Sequence, residues 1–400
     1  MNKEFIDFVN SHLQDDTSRL LLTAARYPSI DMPAAVQQIE GLRAARDKWP
    51  SLLGCPAFLY PPRLNREQSS SEATAAYKAR LAIRLCGPDG PAAIADLTGG
   101  MGIDTLAFAQ PPSPANAATP HVDYIERDPG LCALMRHNSQ ALKLDNIDIH
   151  QADSLQWLSS HSHTYDILFC DPARRSAAGR KVAAFEQCEP NILQHLPLLL
   201  DRCRNLIVKA SPMIDIALAQ RQLGHVAEVH ILSVKGECKE VLFVCNHSAA
   251  EAAIHCDGQT YHHTFTRSQE SATPPRYSDT AGHYLYEPDA ALMKGAPFNL
   301  ISQWMDMPRL SPHTHLYTSD TLRRPFPGRA FAVLGELKPN RKEVARAIPS
   351  GRAHVVVRNF PADAATLQRQ LGLAEGGDLF VVATTVGTRK TAFLCAPAAP

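Results

Sequence analysis

Residues 92–105 read "AAIADLTGGMGIDT". A short apolar run ends in Asp96, turns through Leu97, Thr98, Gly99, Gly100 and Gly102, and leads into "GIDTLAFA", which reads as the start of a helix. Small residues let a backbone approach a ligand closely, and a helix N-terminus offers free N–H groups to an anionic group. A dinucleotide-binding loop has the pattern G-x-G-x-x-G. Gly100 and Gly102 supply its first two positions, but Thr105 stands at the third. Asp96, just before the glycines, would repel a pyrophosphate and instead suits a ligand with a cationic group. A glycine turn with no ligand is the competing reading for this loop taken alone.

The strands that follow extend the pattern. "HVDYIE" (121–126) ends in Glu126, where a carboxylate accepts both hydroxyls of a ribose. "NIDIHQAD" (146–153) ends in Asp153, which could accept from an adenine amine, with Leu155 and Trp157 offering apolar surface. "YDILFCD" (165–171) ends in Asp171. Acids at four successive strand ends match the rule that open α/β sheets bind ligands at the carboxyl ends of their strands. A nucleoside with a cationic tail, such as S-adenosylmethionine, fits the set. Helical stretches such as "GLCALMRHNSQAL" (130–142) alternate with the strands, so a mostly parallel sheet with helices on both faces is predicted from residue 91 onward. "NLIVKASP" (205–212) continues the sheet, and "VAEVHILSV" (226–234) with "KEVLFVCN" (239–246) reads as a closing antiparallel pair. The Pro/Ala stretch "PPSPANAATP" (111–120) reads as a surface loop.

Four domains are expected: a helical region over 1–80, the α/β domain over 81–250, a small connecting α+β domain over 251–325 and a last α+β domain over 326–400. In the first, "DDTS" (15–18) and Asp31 with Pro33 read as helix starts, "CPAFLYPPRLN" (55–65) as a connection, and the serines of "EQSSSEATAAYKARLAIRL" as helix capping. "TRSQESATPPRYSDTAG" (266–282) reads as a linker. Forty Lys+Arg balance forty Asp+Glu, so the global charge points to no polyanionic partner. The N-terminus lacks an apolar signal core, and no apolar run is long enough to span a membrane. The ten cysteines form no CxxC pair, so reduced thiols in a cytoplasmic protein are expected, with no metal site. The histidines of "HSH" and "HH" read as surface or loop residues.

In the order "DLTGGMG", "IERDP", His137–Asn138, "QADS" and "DPAR", the sequence resembles class I S-adenosylmethionine-dependent methyltransferases. With "EQSSSEATAAYK", "KGECKE" and "FPGRAF…RNFP", it is similar over nearly its whole length to bacterial members with a THUMP-like C-terminal domain, a group related to the RNA cap guanine-N2 (trimethylguanosine synthase-like) methyltransferases. The resemblance implies a Rossmann-like methyltransferase sheet with an N-terminal helical region and a small C-terminal α+β region. It implies S-adenosylmethionine as cofactor, held by Asp96, Thr98, Gly100, Gly102, Glu126 and Asp153. Amine-methylating relatives end the fourth strand in Asp/Asn/Ser-Pro-Pro-aromatic. The acid and a proline carbonyl hold the target amine, and the aromatic ring stacks on the base. Asp171 and Pro172 match, whereas Ala173 replaces the second proline and Arg174 the aromatic. Asp171, Pro172 and Arg174 are therefore the expected catalytic residues, because an arginine plane can stack on a base or pair with a phosphate. Arg174 in a solvated turn, or paired with a strand-end acid, is the alternative. Lys209 either lines the pocket or pairs with an acid, and Cys170 reads as core.

The expected reaction is methyl transfer to a nucleobase amine of a structured RNA. A catalytically decayed RNA-binding protein, and an enzyme acting on a small molecule or protein, are the alternatives. RNA as partner rests on the resemblance and on local charge. Arg323, Arg324, Arg329, Lys338, Arg341, Lys342, Arg346, Arg352 and Arg358 crowd residues 321–360, opposed in that window by Glu336 and Glu343, with Phe326, Phe331 and Phe360 interleaved.

Overall fold

The structure is a computed structural model that describes residues 3–87, 92–110, 119–174, 185–248 and 250–398, the side chains of Arg174 and Gln187 aside. Most of the Pro/Ala loop, and Arg175, lie outside these residues. The chain divides into two compact units, 1–227 with 242–250, and 228–241 with 251–400.

The first unit begins with helices α1 (Lys3–Ser11), α2 (Thr17–Leu22) and α3 (Met32–Lys48), which bury Phe8, Val9, Leu20, Met32, Val36 and Ile39 against one another. The Asp16 carboxylate accepts from Ser18 N and Arg19 N at the start of α2. Asp31 accepts from Ala34 N at the start of α3. A short helix, α4 (Arg63–Gln68), begins at the end of the stretch read as a plain connection and runs past it, followed by α5 (Glu72–Cys86). Ser71 caps α5 by accepting from Thr74 N, as the serine-rich start implies. Residues 57–59 are held by later side chains. Asn138 accepts from Leu59 N and donates to Leu59 O, and His137 Nε2 lies 2.8 Å from Ala57 O. The "HN" pair is thus structural.

Strands β1 (Ala93–Asp96), β2 (His121–Glu126), β3 (Ile147–Gln151) and β4 (Tyr165–Cys170) fall where the apolar runs predict them. Helices α6 (Ile103–Ala109), α7 (Pro129–Ala141) and α8 (Ser154–Ser160) connect them. Past β4, the two-residue strands β5 (Ala173–Arg174) and β6 (Cys188–Glu189) pair antiparallel, followed by α9 (Ile192–Asp201), β7 (Cys203–Ala210) and α10 (Ile216–Leu223). The strand order is β7-β4-β1-β2-β3, every pair parallel. Strand order therefore reverses at β1, between β4 and β2, and a crevice opens at such a switch point outside the strand carboxyl ends.

A buried ionic knot ties α5 to α6. The fully buried Lys78 ammonium lies 2.9 Å from Asp104 Oδ1 and donates to Ser70 Oγ at 2.7 Å, and Ser70 in turn donates to Asp104 Oδ2. Lys78→Met would leave Asp104 buried without its cation, which costs about 3–5 kcal/mol. Urea denaturation is expected to show that loss, and a variant as stable as the parent would remove this assignment.

β8 (Val226–Val234) and β9 (Glu237–Cys245) form the expected hairpin. Its turn residues Lys235 and Gly236 have φ of 54° and 77°, the left-handed pair of a type I′ turn. β10 (Ala253–Asp257) lies parallel to β8 and antiparallel to β11 (His262–Phe265). The stretch read as a linker starts instead with helix α11 (Arg267–Ala272). Thr266 and Gln269 form a reciprocal capping box there, which the composition of the stretch hides. Next come β12 (Tyr284–Pro288), α12 (Ala290–Gly295), α13 (Phe298–Met305), β13 (Arg309–Ser311), β14 (Thr314–Ser319), β15 (Gly328–Leu337), α14 (Arg341–Ala347), β16 (His354–Arg358), α15 (Ala364–Leu371), β17 (Phe380–Val386) and β18 (Arg389–Pro397). They form a sheet of order β13-β14-β12-β15-β18-β17-β16, in which β16 and β17 run parallel. Period-two alternation sends Val382 and Phe393 to one face, with Leu285 and Phe331. Val381, Ala383 and Ala392 go to the other, under α14 and α15.

Candidate active site

The glycine loop is shaped by close packing. A Cβ on Gly99 would fall 2.3 Å from the Tyr124 ring, and one on Gly102, at φ 82°, would fall 2.6 Å from Met135 Sδ. Gly100, at φ 53°, faces the other way, and a Cβ there would meet only Thr98 O, at 3.6 Å. The loop is therefore packed behind and open above Gly100. Glu126 ends β2 directly beside it. Its carboxylate accepts from Gly100 N and from Asp128 N, both at 2.9 Å, and Tyr124 donates to Gly100 O.

Asp96 does not face a ligand as the sequence reading expects. It is 1% exposed. One oxygen accepts from Thr98 N and the other from the Thr105 hydroxyl at 2.7 Å. Thr105, the residue that breaks the dinucleotide pattern, thus anchors the acid that sets the loop. Burial pushes the Asp96 carboxyl up to about 7, with Asp104 and Asp171 adding to the rise.

Asp153 caps α8, accepting from Leu155 N and Gln156 N, and its other oxygen lies 3.7 Å from Arg127 Nη1. Trp157 does not supply a ligand surface. It is buried among His150, His161 and Tyr165, and Tyr165 begins β4 at the end opposite Asp171. Leu155 and Trp157 are two residues apart on α8, about 200° around the helix, so they cannot both face the strand ends.

Asp171 sits one residue past β4. Its backbone N–H donates to Thr98 Oγ1 at 2.8 Å, so the end of β4 is tied to the glycine loop. Its side chain pairs with Lys209 from β7, the acid-pairing alternative for that lysine. Pro172 is buried, and Ala173–Arg174 run into the β5–β6 ribbon, with Ala173 opposite Glu189. The Arg174 side chain lies outside the described residues. Arg127 does what the alternative reading assigns to Arg174. It donates to Glu189 on β6 at 2.9 Å and lies 3.7 Å from the strand-end acid Asp153. Cys170 is wholly buried, and burial holds its thiol well above the usual range, so it is no nucleophile.

These geometries put a glycine loop, a carboxylate and an acid-plus-proline turn at the carboxyl ends of β1, β2 and β4. Over 284 residues the chain is 30% identical to an uncharacterised S-adenosylmethionine-dependent methyltransferase of Mycobacterium tuberculosis, known from strains CDC 1551 and H37Rv, covering 68% of this chain and 74% of the relative. The chain belongs to the S-adenosylmethionine-dependent methyltransferases. The crystal structure of a candidate methyltransferase from Porphyromonas gingivalis W83 agrees over the full length. Its TM-score is 0.82 at 28% identity, covering 99% of this chain and 98% of that one. A ferredoxin-like domain family matches residues 284–327 and a THUMP domain-like family residues 328–397. This methyltransferase is an enzyme whose cofactor is S-adenosylmethionine, built on the Rossmann-like fold that the strand pattern predicts.

One group near the site carries no sequence signal. Lys48, at the end of α3, donates to Arg66 O and Glu67 O, and burial, with the Lys209 charge adding, lowers its ammonium to about 8. It lines an open cavity of about 450 Å³ with Glu40, Ala44, Arg63, Arg66 and Glu67. Lys48 lies more than a hundred residues from Lys209 in sequence, so only folding relates them.

The charge count over 321–360 is corrected by residues outside that window. Arg329 and Arg358 both pair with the buried Glu287, and Arg323 lies 3.5 Å from Asp306. Phe331 is core, while Phe326 packs on Tyr286 and Phe360 against the α14–α15 cluster. Lys338, Arg341, Lys342 and Arg346 stay exposed on α14 and the turn before it.

Proposed function

We propose that this methyltransferase transfers its methyl group to a nucleobase amine of a structured RNA, as the trimethylguanosine synthase-like enzymes do with a guanine amine. The observation that carries the reading is the hydrogen bond from Asp171 N to Thr98 Oγ1. It couples the acid-proline turn that would hold the amine to the loop that would hold the cofactor. The cofactor supplies a methyl group already activated by its sulfonium. What remains for the chain is alignment, and alignment of two reactants is worth about 7–11 kcal/mol when it is good.

In this reading Glu126 exchanges its hydrogen bond from Gly100 N for the ribose hydroxyls, and Asp153 lies towards the base. Asp96 and Thr105 keep the loop rigid without touching the ligand. Asp171 accepts a hydrogen bond from the acceptor amine, with Lys209 fixing its carboxylate, and the Pro172 carbonyl accepts the second amine hydrogen. The THUMP domain-like match over 328–397 and the exposed cations of α14 support RNA as the acceptor.

Incubation with labelled S-adenosylmethionine and fractionated RNA, protein and metabolites tests the acceptor class directly. Label in RNA is expected, and label confined to metabolites or protein would overturn the reading. RNA binding by the full chain is expected to weaken steeply with rising salt, and Arg341→Glu with Lys342→Glu is expected to weaken it and flatten that slope while cofactor affinity holds. Salt-independent binding would contradict a phosphate contact by α14. The full chain is needed, because a fragment starting near residue 250 would strip β8 from β10.

A further inference from the structure

The parallel pair β8–β10 carries a cluster that the methyl-transfer site does not use. Its register sets His255 opposite His230 and Ala253 opposite Glu228. Side chains alternate along a strand, so Glu228, His230 and His255 share one face. The other face is apolar. Val229, Ile231, Ile254 and Cys256 are buried there, and α12 packs so closely that a Cβ on Gly295 would fall 2.4 Å from Cys256 Sγ. On the polar face the two imidazole rings stack at 4.3 Å, with 4° between their planes. Glu228 Oε2 lies 2.8 Å from His230 Nε2 and 3.8 Å from His255 Nε2. One donor atom from each of the three residues lies within 4.8 Å of the others.

We propose that Glu228, His230 and His255 bind a divalent transition-metal ion of the zinc class. Two imidazole nitrogens and one carboxylate oxygen are a borderline donor set suited to such ions and poorly suited to Mg²⁺ or Ca²⁺. Ligand bonds of about 2.0–2.2 Å in a tetrahedron set donors roughly 3.4 Å apart. The observed 2.8 and 3.8 Å straddle that spacing, and binding requires the two parallel rings to turn about their soft χ2 so that both lone pairs meet one ion. The environment of His255 supports the assignment. Its Nδ1 lies 2.9 Å from Thr264 Oγ1 on β11. A metal-binding histidine characteristically engages its second nitrogen in this way, which fixes the tautomer and leaves Nε2 to the ion. His262 Nε2 contacts the same hydroxyl at 3.0 Å, and its Nδ1 contacts Asp257, so His262 orients Thr264 rather than ligating. Glu228 is partly exposed, so a water can complete the coordination sphere from its side. The bound ion staples β8 to β10. This inference is independent of the acceptor.

Full-length protein, stripped with a chelator and titrated with cobalt(II) chloride, is expected to bind one equivalent at this site. The visible d–d band should appear without the near-ultraviolet thiolate charge-transfer band that ligation by any of the ten cysteines would give. Zinc(II) chloride should displace the cobalt and raise the Tm. His255→Gln and Glu228→Gln are each expected to weaken cobalt affinity at least tenfold. Thr264→Val should weaken it by about 10–100-fold, His262→Gln by less, and S-adenosylmethionine affinity should hold in all four. If His255→Gln fails to fold, Glu228→Gln decides. A stripped protein that takes up no cobalt, a thiolate band, or unchanged affinity in Glu228→Gln would overturn the site.

Discussion

Asp171→Ala is expected to lower turnover by about 10²–10⁴-fold while S-adenosylmethionine affinity changes by less than about threefold. The two readouts separate because the two halves of Asp171 have different partners. Its backbone N–H donates to Thr98 Oγ1 and survives the substitution, so the glycine loop keeps its tether. Its side chain, paired with Lys209, is what would orient an acceptor, and that part is lost. Asp171→Asn restores an oxygen of the right shape without the charge and is expected to fall between the two. Single-turnover methylation alongside calorimetric titration of the cofactor makes the comparison. Parallel loss of affinity, with no separate effect on rate, would reassign Asp171 to cofactor binding.

Glu126→Ala should weaken S-adenosylmethionine binding by about a hundredfold or more. Two ribose hydroxyls would lose one charged acceptor, and each such hydrogen bond is worth about 1.5–3 kcal/mol. The structure adds a second cost. The same carboxylate holds Gly100 N and Asp128 N, so the substitution also frees both sides of the loop. Glu126→Gln keeps an acceptor of the same size and is expected to lose less. At saturating cofactor both variants should recover most of their turnover, since Glu126 does not touch the acceptor. A folded Glu126→Ala protein with unchanged affinity would exclude Glu126 from the ribose site.

Most of the sheet was legible because its strands read as apolar runs, and β1 to β4 are each ended or followed by an acid. The elements that were missed are short and polar. In α11 the capping box lies inside a stretch that looks like linker by composition, and α4 follows two prolines. Among the candidate site residues, the positions Glu126 and Asp171 follow from strand ends alone, because the carboxyl ends of parallel strands converge. Their partners do not. Nothing in sequence separates the inward Asp96, saturated by Thr98 and Thr105, from the outward Glu126, since both simply end a strand.

By itself the sequence determined the parallel sheet, the glycine loop with its helix, the nucleoside-type cofactor and the closing antiparallel pair of β8 and β9. Each of these depends on local conformation or on side-chain period, which neighbouring residues encode. Pairings across long separations were decided only by the tertiary structure. Lys78 reaches Asp104, Arg127 reaches Glu189, Arg329 and Arg358 share Glu287, and His230 meets His255 across a strand register. Charge and ligand geometry depend on distance in space. A chain with equal numbers of acids and bases has many possible pairings, and the packing of its strands selects among them.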